Sequence, residues 1–120
     1  VRDAVAILAE KRIGALPVMD GDTVAGIFSE RDVIYRLNSQ GPAILDLCVR
    51  DVMTAPALTV GPDTSVLSAL GQMTRRRVRH FPVVDSGRMV GFISIGDLVK
   101  FRIESIESEA EAMRAYIQTA

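Results

Sequence analysis

Apolar residues recur at helical spacing at the start of the chain and again in its second half. Ala4, Val5 and Leu8 predict a first helix, and residues 66–73 repeat the pattern. Each helix is followed by two apolar, β-branched runs around a turn, LPVMDGDTVAGIF and FPVVDSGRMVGFI, which predict hairpins. The stretches SERDVIYRL and SIGDLVKFRI then begin two further helices. The pattern predicts helix, strand, strand, helix in duplicate, with one extra strand at 57–60 before the second copy.

The two halves of the chain are copies of one unit. A shift of 65 positions aligns residues 1–36 with residues 66–101 without a gap. A unit of this size buries too little surface to be stable alone. We therefore expect the copies to pack through their sheets as one α+β domain. We place the first repeat at 1–37, the linker at 38–50 and the second repeat at 51–101. Nine aligned pairs are identical: Val1/Val66, Ala4/Ala69, Arg12/Arg77, Pro17/Pro82, Val18/Val83, Asp20/Asp85, Gly26/Gly91, Ser29/Ser94 and Asp32/Asp97.

A further helix is predicted at 102–120, beyond the second repeat. Four Glu residues, with Arg102 and Arg114, flank its apolar stripe. A lone helix of this length is marginal in water unless the stripe is buried, either on the chain's own body or against a partner subunit. We favour a partner subunit. The stripe alternates by four and three residues over roughly three heptads and comprises Val99, Ile103, Ile106, Ala110, Met113 and Ile117.

Composition narrows the class of protein. Of the 120 residues, 48% are apolar and 24% are charged, a globular balance that excludes a disordered or fibrous chain. The net charge of −1 and the 5% aromatic content argue against bulk attraction to nucleic acid and against base-stacking surfaces. Cys48 is the single cysteine, which excludes a disulfide framework, and no Cys/His spacing predicts a metal site.

The chain shows no sign of a membrane or secretory protein. It has no apolar run long enough to span a bilayer, and its start lacks the pattern of a signal peptide. We therefore expect a cytoplasmic protein in a reducing compartment. The first residue is Val1 rather than Met, which indicates a trimmed chain or further residues before it.

One motif appears in both copies at a predicted strand-to-helix junction. Residues 26–33, GIFSERDV, and residues 91–98, GFISIGDL, share Gly-apolar-apolar-Ser-x-x-Asp-apolar. One interpretation is structural, because Ser at a helix N-cap and an acidic residue three positions later form a capping box. The other is functional, because a helix N-terminus attracts a phosphate and a nearby carboxylate accepts from ribose hydroxyls. Both interpretations stay open at this point.

The duplicated pattern resembles a tandem pair of cystathionine-β-synthase (CBS) domains of the stand-alone bacterial type. The resemblance rests on the two Gly-x-x-Ser-x-x-Asp motifs, the apolar-Pro-Val hairpin starts and the segment 51–54, DVMT. It implies two βαββα repeats packed sheet to sheet about a pseudo-two-fold axis, and a homodimer. It also implies clefts for an adenosine-containing regulatory ligand (AMP, ADP, ATP or NAD(H), among others), with no catalytic cofactor and an effector protein of unknown identity.

The resemblance also implies which residues bind. In one cleft, Asp32 would bind ribose and Ser29 phosphate. In the other, Asp97 and Ser94 would take these roles, although the first copy's leading strand, which would complete that cleft, is absent from the sequence. The adenine would contact Met53, Thr54, Pro56, Leu58 and Val78 in the first cleft, and Ile13, Gly14 and Ala15 in the second.

The densest positive stretch is RRRVRH at residues 75–80. Arg79 and His80 precede the second hairpin at positions where the family has phosphate-binding residues, and Arg31 is expected near them. His80 has no second His to share a metal, but its titration near neutral pH would make phosphate binding pH-dependent. Two other interpretations are a solvated helix end and nucleic-acid binding through the arginines at 75–79.

The most specific function that the sequence supports is a regulatory, ligand-sensing module. An enzyme is not expected, because no nucleophile, base and orienting group appear together. Nucleic-acid binding is a weaker alternative, since the chain is almost neutral and poor in aromatic residues. The remaining alternative is a structural dimerisation unit in which the Ser-x-x-Asp motifs only cap helices.

Overall fold

The computed structural model describes residues 1–119 and contains two consecutive helix–hairpin–helix units. This α+β architecture confirms the predicted duplication. Two short 3-10 helical turns lie between the units, at Pro42–Asp46 and Val49–Asp51. The first unit consists of α1 (Arg2–Lys11), β1 (Ala15–Asp20), β2 (Thr23–Ser29) and α2 (Glu30–Gln40). The second consists of α3 (Val66–Arg76), β3 (His80–Asp85), β4 (Arg88–Ser94) and α4 (Ile95–Thr119).

Equivalent residues shape the two units in the same way. α1 and α3 both end at an arginine in the left-handed region, Arg12 (φ 52°) and Arg77 (φ 56°). The hairpins are antiparallel, and each has an irregularity in register directly after a valine that pairs with a glycine. The first hairpin turns at Gly21, whose φ of 61° a residue with a side chain adopts only with strain. The duplicated sequence therefore gives duplicated local structure.

Each unit has its own apolar core beneath its hairpin. Phe28 of β2 is fully buried in the first core, and Phe81 of β3 is fully buried in the second. The helices contribute Ala4 and Leu8 to the first core, at the spacing that predicted α1. The protein therefore has two small, separate cores, one in each repeat.

The crossing segment, residues 52–60, runs from the first unit to the second. Val52 is 2% exposed and belongs to the first core, whereas Val60 belongs to the second. Thr54 pairs with Ile27 of β2 through two backbone hydrogen bonds of 2.9 and 3.0 Å. Val60 pairs with β3 through the backbone of Pro82 and Val84. This arrangement differs from the strand predicted at 57–60, because only single residues at the two ends of the segment pair with a sheet.

The hairpins also meet directly. The Met89 N–H of β4 donates to the carbonyl of Asp22 at the turn of the first hairpin, with a distance of 2.9 Å. The Asp22 carboxylate forms an exposed salt bridge with Arg88 at 3.0 Å. The sheets of the two repeats are thus joined by backbone and side-chain contacts.

α4 continues without interruption from the second repeat into the predicted C-terminal helix. Leu98 near its start is buried in the second core, but Ile106, Met113 and Ile117 further along are exposed. The stripe does not pack on the chain's own body in the part that the structure describes. Ala120, the last residue of the predicted helix, lies outside the described residues. Within residues 1–119, no helix is both long enough and apolar enough to cross a membrane.

Candidate functional site

A cleft of about 270 Å³ opens where the two repeats meet. Four pieces of chain form its walls: the start of β1, the start of α2, the crossing segment, and the turn from α3 to β3. Two of these pieces come from the first repeat, one from the second, and the crossing segment joins them. The cleft therefore exists only in the assembled pair.

Most of the residues that the sequence singled out line this cleft. They are Gly14, Ala15, Ser29, Arg31, Asp32, Thr54, Pro56, Leu58, Val78, Arg79 and His80. Gly14 and Ala15 were expected at the second cleft, but they lie in the same cleft as Ser29 and Asp32.

Four of the singled-out residues lie elsewhere. Met53 packs against the first core, and Ile13 is an exposed residue between α1 and β1. Ser94 and Asp97 lie at the start of α4, outside the lining of this cleft.

Five lining residues were not predicted: Ile27, Glu30, Tyr35, Ala57 and Arg77. The spacing would have indicated Tyr35, because it follows Asp32 by three positions and so shares a face of α2. Arg77 was assigned to a solvated helix end. It reaches the cleft because α3 ends there in a left-handed turn, a conformation the sequence does not specify for arginine.

Asp32 is the most connected polar side chain of the cleft. Its Oδ2 accepts from the Ser29 backbone N–H at 2.9 Å and from the Ser29 hydroxyl at 3.1 Å. The Ser29 Oγ accepts from the Asp32 N–H at 3.3 Å, which completes a capping box. Oδ1 accepts from the Thr54 hydroxyl at 2.9 Å, a contact that ties the crossing segment to α2. Capping alone does not explain the bond from Thr54, which also lines the cleft.

The equivalent motif in the second repeat has the cap and no such tie. Asp97 Oδ2 accepts from the Ser94 N–H at 2.9 Å, and Ser94 Oγ accepts from the Asp97 N–H at 3.1 Å. The hydrogen bonds that the carboxyl accepts from the Ser94 backbone N–H and from the Ser94 side chain lower the pKa of Asp97 below its ordinary value. Among the described residues, Asp97 has no hydroxyl partner equivalent to Thr54.

Unequal residues at equivalent positions make room in the cleft. The 65-residue offset relates Gly14 to Arg79 and Ala15 to His80. A Cβ added to Gly14 would lie 3.3 Å from Glu30 Oε1 and 3.6 Å from His80 Cε1. The small residues of the first repeat thus leave space for the basic residues of the second.

Basic groups surround one end of the cleft. The Arg31 guanidinium donates to the Arg77 carbonyl at 3.0 Å, and so links the two repeats across it. His80 stacks on Phe92 with ring centroids 5.6 Å apart. Partial burial lowers the pKa of His80, while the charges of Asp97 and Glu30 act in the opposite direction. At neutral pH the imidazole is therefore uncharged, and the arginines carry the positive charge.

The lowered pKa of His80 predicts how stability depends on pH. The folded state disfavours the imidazolium. The contribution of uncharged His80 to the free energy of unfolding is therefore fully present above the ordinary histidine pKa of about 6.5. It is lost as the pH falls below that value, since the unfolded chain then binds a proton more readily. Urea unfolding at pH 7.5 and 5.5 should show a lower free energy of unfolding at pH 5.5.

The variant His80→Gln provides the control for this effect, because His80 is the single histidine of the chain. The variant should flatten the pH dependence between these two values. An equal loss of stability in the variant would assign the effect to carboxyl groups instead.

The cleft combines three kinds of surface. Pro56, Leu58 and Val78 supply apolar contact, Asp32 supplies a hydrogen-bond acceptor, and the arginines supply positive charge. Such a set suits a ligand with a flat apolar part, a hydroxylated part and an anionic part. Within residues 1–119, no group of three His, Cys, Asp or Glu residues is arranged to hold a metal ion.

Comparison with known proteins agrees with the duplicated architecture. The family model of the CBS domain matches residues 1–39 and 49–104. The mitochondrial CBS domain-containing protein CBSX3 of Arabidopsis thaliana is 37% identical over 123 aligned residues, which cover 98% of this chain and 60% of that protein. The chain therefore spans about three fifths of the length of this relative.

Solved structures share the fold. A CBS-domain containing protein from Agrobacterium tumefaciens superposes with a TM-score of 0.80 at 38% identity, covering 85% of this chain and 82% of that chain. CBSX2, whose crystal structure is a complex with AMP, superposes with a TM-score of 0.74 at 30% identity, covering 87% and 81%. With a family match in both halves and these structural neighbours, the chain belongs to the CBS domain family and is a tandem pair of its repeats.

Proposed function

We propose that this chain is a regulatory module that binds an adenine mononucleotide of the AMP class in the cleft between its repeats. The observation that carries the proposal is the cleft itself, which brings Asp32, an apolar wall and several arginines together from both repeats. The complex of the related CBSX2 with AMP supports the choice of an adenosine ligand. A ligand held in this way ties one repeat to the other.

The size of the cleft favours a mononucleotide over NAD(H). Pockets for small molecules span roughly 300 to 1,000 Å³, and the cleft, at about 270 Å³, lies just below this range. We place the adenine against Pro56, Leu58 and Val78. The edge of the adenine that donates and accepts hydrogen bonds would then face the backbone of the crossing segment. A second nucleoside would have to extend beyond these walls.

The polar groups of the cleft indicate where the ribose and the phosphate would bind. We place a ribose hydroxyl so that it donates to Oδ1 of Asp32, which keeps accepting from Thr54. The Ser29 hydroxyl donates to Asp32, and the Glu30 N–H donates to the Gly14 carbonyl. These donors are already engaged, so we assign the phosphate chiefly to Arg79 and Arg31.

Regulation requires that the ligand prefer one arrangement of the pair over another. A ligand between the repeats meets this requirement, because the Arg31 side chain reaches the Arg77 carbonyl and the Thr54 hydroxyl reaches Asp32 across the junction. Binding would tighten the junction, and an effector protein would respond to that change. The competing function is a structural module, which the two observed capping boxes favour.

Thermal unfolding with and without nucleotide separates these functions. AMP at a concentration one hundred times its dissociation constant should add about 2.7 kcal/mol of apparent stability. Adenosine and inorganic phosphate should each stabilise less than AMP, because each carries only part of the contacts. If millimolar AMP does not shift the transition, the chain is not an adenine-nucleotide sensor.

A matched pair of arginine variants tests the phosphate assignment. Arg79→Gln removes a positive charge from the cleft, whereas Arg75→Gln removes one from α3 outside the cleft lining. AMP affinity, measured by calorimetry, should fall about tenfold in Arg79→Gln, the scale of one charged hydrogen bond, and stay near wild type in Arg75→Gln. Equal affinities in the two variants would contradict the assignment.

A further inference from the structure

α4 carries an apolar stripe that the described chain leaves uncovered. Five residues of the stripe are between 42% and 66% exposed. They are Val99, Ile103, Ile106, Met113 and Ile117. With Ala110, these positions alternate by four and three residues, as the a and d positions of a heptad repeat do. Ile103, Ala110 and Ile117 take the a positions, and the d positions are Val99, Ile106 and Met113.

The charges beside the stripe distinguish two ways of pairing. In this register, Arg102 and Glu109 occupy g positions, and Glu107 and Arg114 occupy e positions. In a parallel, in-register pair, each g residue faces the e residue five positions later in the other helix. Arg102 then faces Glu107 of the partner subunit, and Glu109 faces Arg114 of the partner subunit. All four pairs across such a dimer are attractive.

An antiparallel pair would place like charges together. In an antiparallel pair whose layers are formed by a and d residues, each e position faces an e position of the other helix. Each g position likewise faces a g position. Glu107 would face Glu107 of the partner subunit, and Glu109 would face Glu109 of the partner subunit. Lys100, which is also at an e position, would face Arg114 of the partner subunit. Charge complementarity therefore selects one orientation.

We infer that α4 pairs with α4 of a second copy of this chain as a parallel, in-register, two-stranded coiled coil over residues 99–117. The interface consists of six apolar layers flanked by four interhelical ion pairs. The two-fold axis runs along the coil, so both repeat pairs lie at the same end of it. This interface is independent of the nucleotide site, because none of these residues lines the cleft.

Sedimentation equilibrium of the full chain tests the pairing. The wild type should be a dimer at micromolar concentrations. The double variant Arg102→Glu, Glu109→Arg keeps the net charge and the apolar layers but makes all four parallel pairs repulsive. Its dissociation constant should rise about tenfold or more, the scale of several exposed ion pairs. An unchanged constant would contradict the parallel coil, since antiparallel pairing leaves like charges opposed in both proteins.

The complementary variant Glu107→Arg, Arg114→Glu supplies the matched control. It should also dimerise weakly alone, but a mixture of the two double variants should form heterodimers of wild-type strength, because every facing pair is again opposite in charge. Failure of the mixture to recover association would overturn the assigned pairs. A monomeric wild type would overturn the interface altogether.

Disulfide trapping tests the register directly. In a Cys48→Ser background, which removes the exposed native thiol, Met113→Cys places two d-position thiols across the parallel coil. With oxidised glutathione this variant should form a covalent dimer on a non-reducing gel. Glu111→Cys, on the outer face of α4, is the control and should stay largely monomeric. Equal crosslinking at the two positions would rule out the proposed register.

Discussion

The Asp32→Ala variant should bind AMP about 10 to 150 times more weakly than the wild type, because a hydrogen bond to a charged group contributes about 1.5–3 kcal/mol. Asp32 offers its Oδ1 to the cleft while Oδ2 caps α2. The substitution removes the acceptor proposed for the ribose. It also releases Thr54, which loosens the crossing segment on one side of the site. Isothermal titration calorimetry with AMP gives the change in affinity.

Asp97→Ala is the matched control, because Asp97 makes the same capping contacts with Ser94 but lies outside the lining of the cleft. Loss of a cap costs about 0.5–2 kcal/mol, so both variants should unfold at a lower urea concentration than the wild type. Only Asp32→Ala should lose AMP affinity. Retained affinity in that variant would remove Asp32 from the ribose site. A similar loss in both variants would trace the effect to the capped helices.

The Gly26→Ala variant should lower the free energy of unfolding by about 1–3 kcal/mol, the usual cost of overpacking an interior. A Cβ at Gly26 would lie 2.7 Å from Met53 Sδ and 2.7 Å from the carbonyl oxygen of Thr54. The methionine can rotate away, but the carbonyl is held by its hydrogen bond from the Ile27 N–H. The crossing segment must therefore shift, and its pairing with β2 must weaken. Urea unfolding measures the effect.

Gly91→Ala provides the comparison within the same chain. Gly91 is the equivalent residue of the second repeat, and its added Cβ would approach only the Val83 side chain, at 3.7 Å. That distance is an ordinary contact, so stability should change by no more than about 0.5 kcal/mol. If both variants lose the same stability, the cost belongs to alanine in a hairpin strand and not to the crossing segment. Two glycines that align in sequence thus have different structural roles.

The helices and hairpins could be predicted from sequence because their signals are local. The apolar spacing around Ala4 and Leu8 and the turn at Gly21 each depend on a few neighbouring residues. The crossing segment could not be predicted in the same way. Its residues are apolar and resemble a strand, but Thr54 and Val60 pair with different sheets, so no regular ladder forms. Pairing with two partners depends on tertiary packing, which periodicity does not report.

The residues of the cleft could be predicted only in part, again because tertiary packing brings some of them together. Asp32 and Thr54 were placed through a resemblance to a family, and the structure brings them within hydrogen-bond distance. The entry of Gly14 into the same cleft depends on how the repeats are rotated against each other. So does the link from Arg31 to the Arg77 carbonyl. Neither contact leaves a pattern along the chain.

The crossing segment also determines how the protein unfolds. Val52 is buried in the first core and Val60 in the second, so the segment is anchored by one buried side chain in each repeat. Opening one repeat pulls on the segment that supplies a buried side chain to the other. We therefore expect the two repeats to open together, so that amide protons in the two halves exchange with similar protection. The sequence contains two repeats, and the crossing segment would make them one cooperative folding unit.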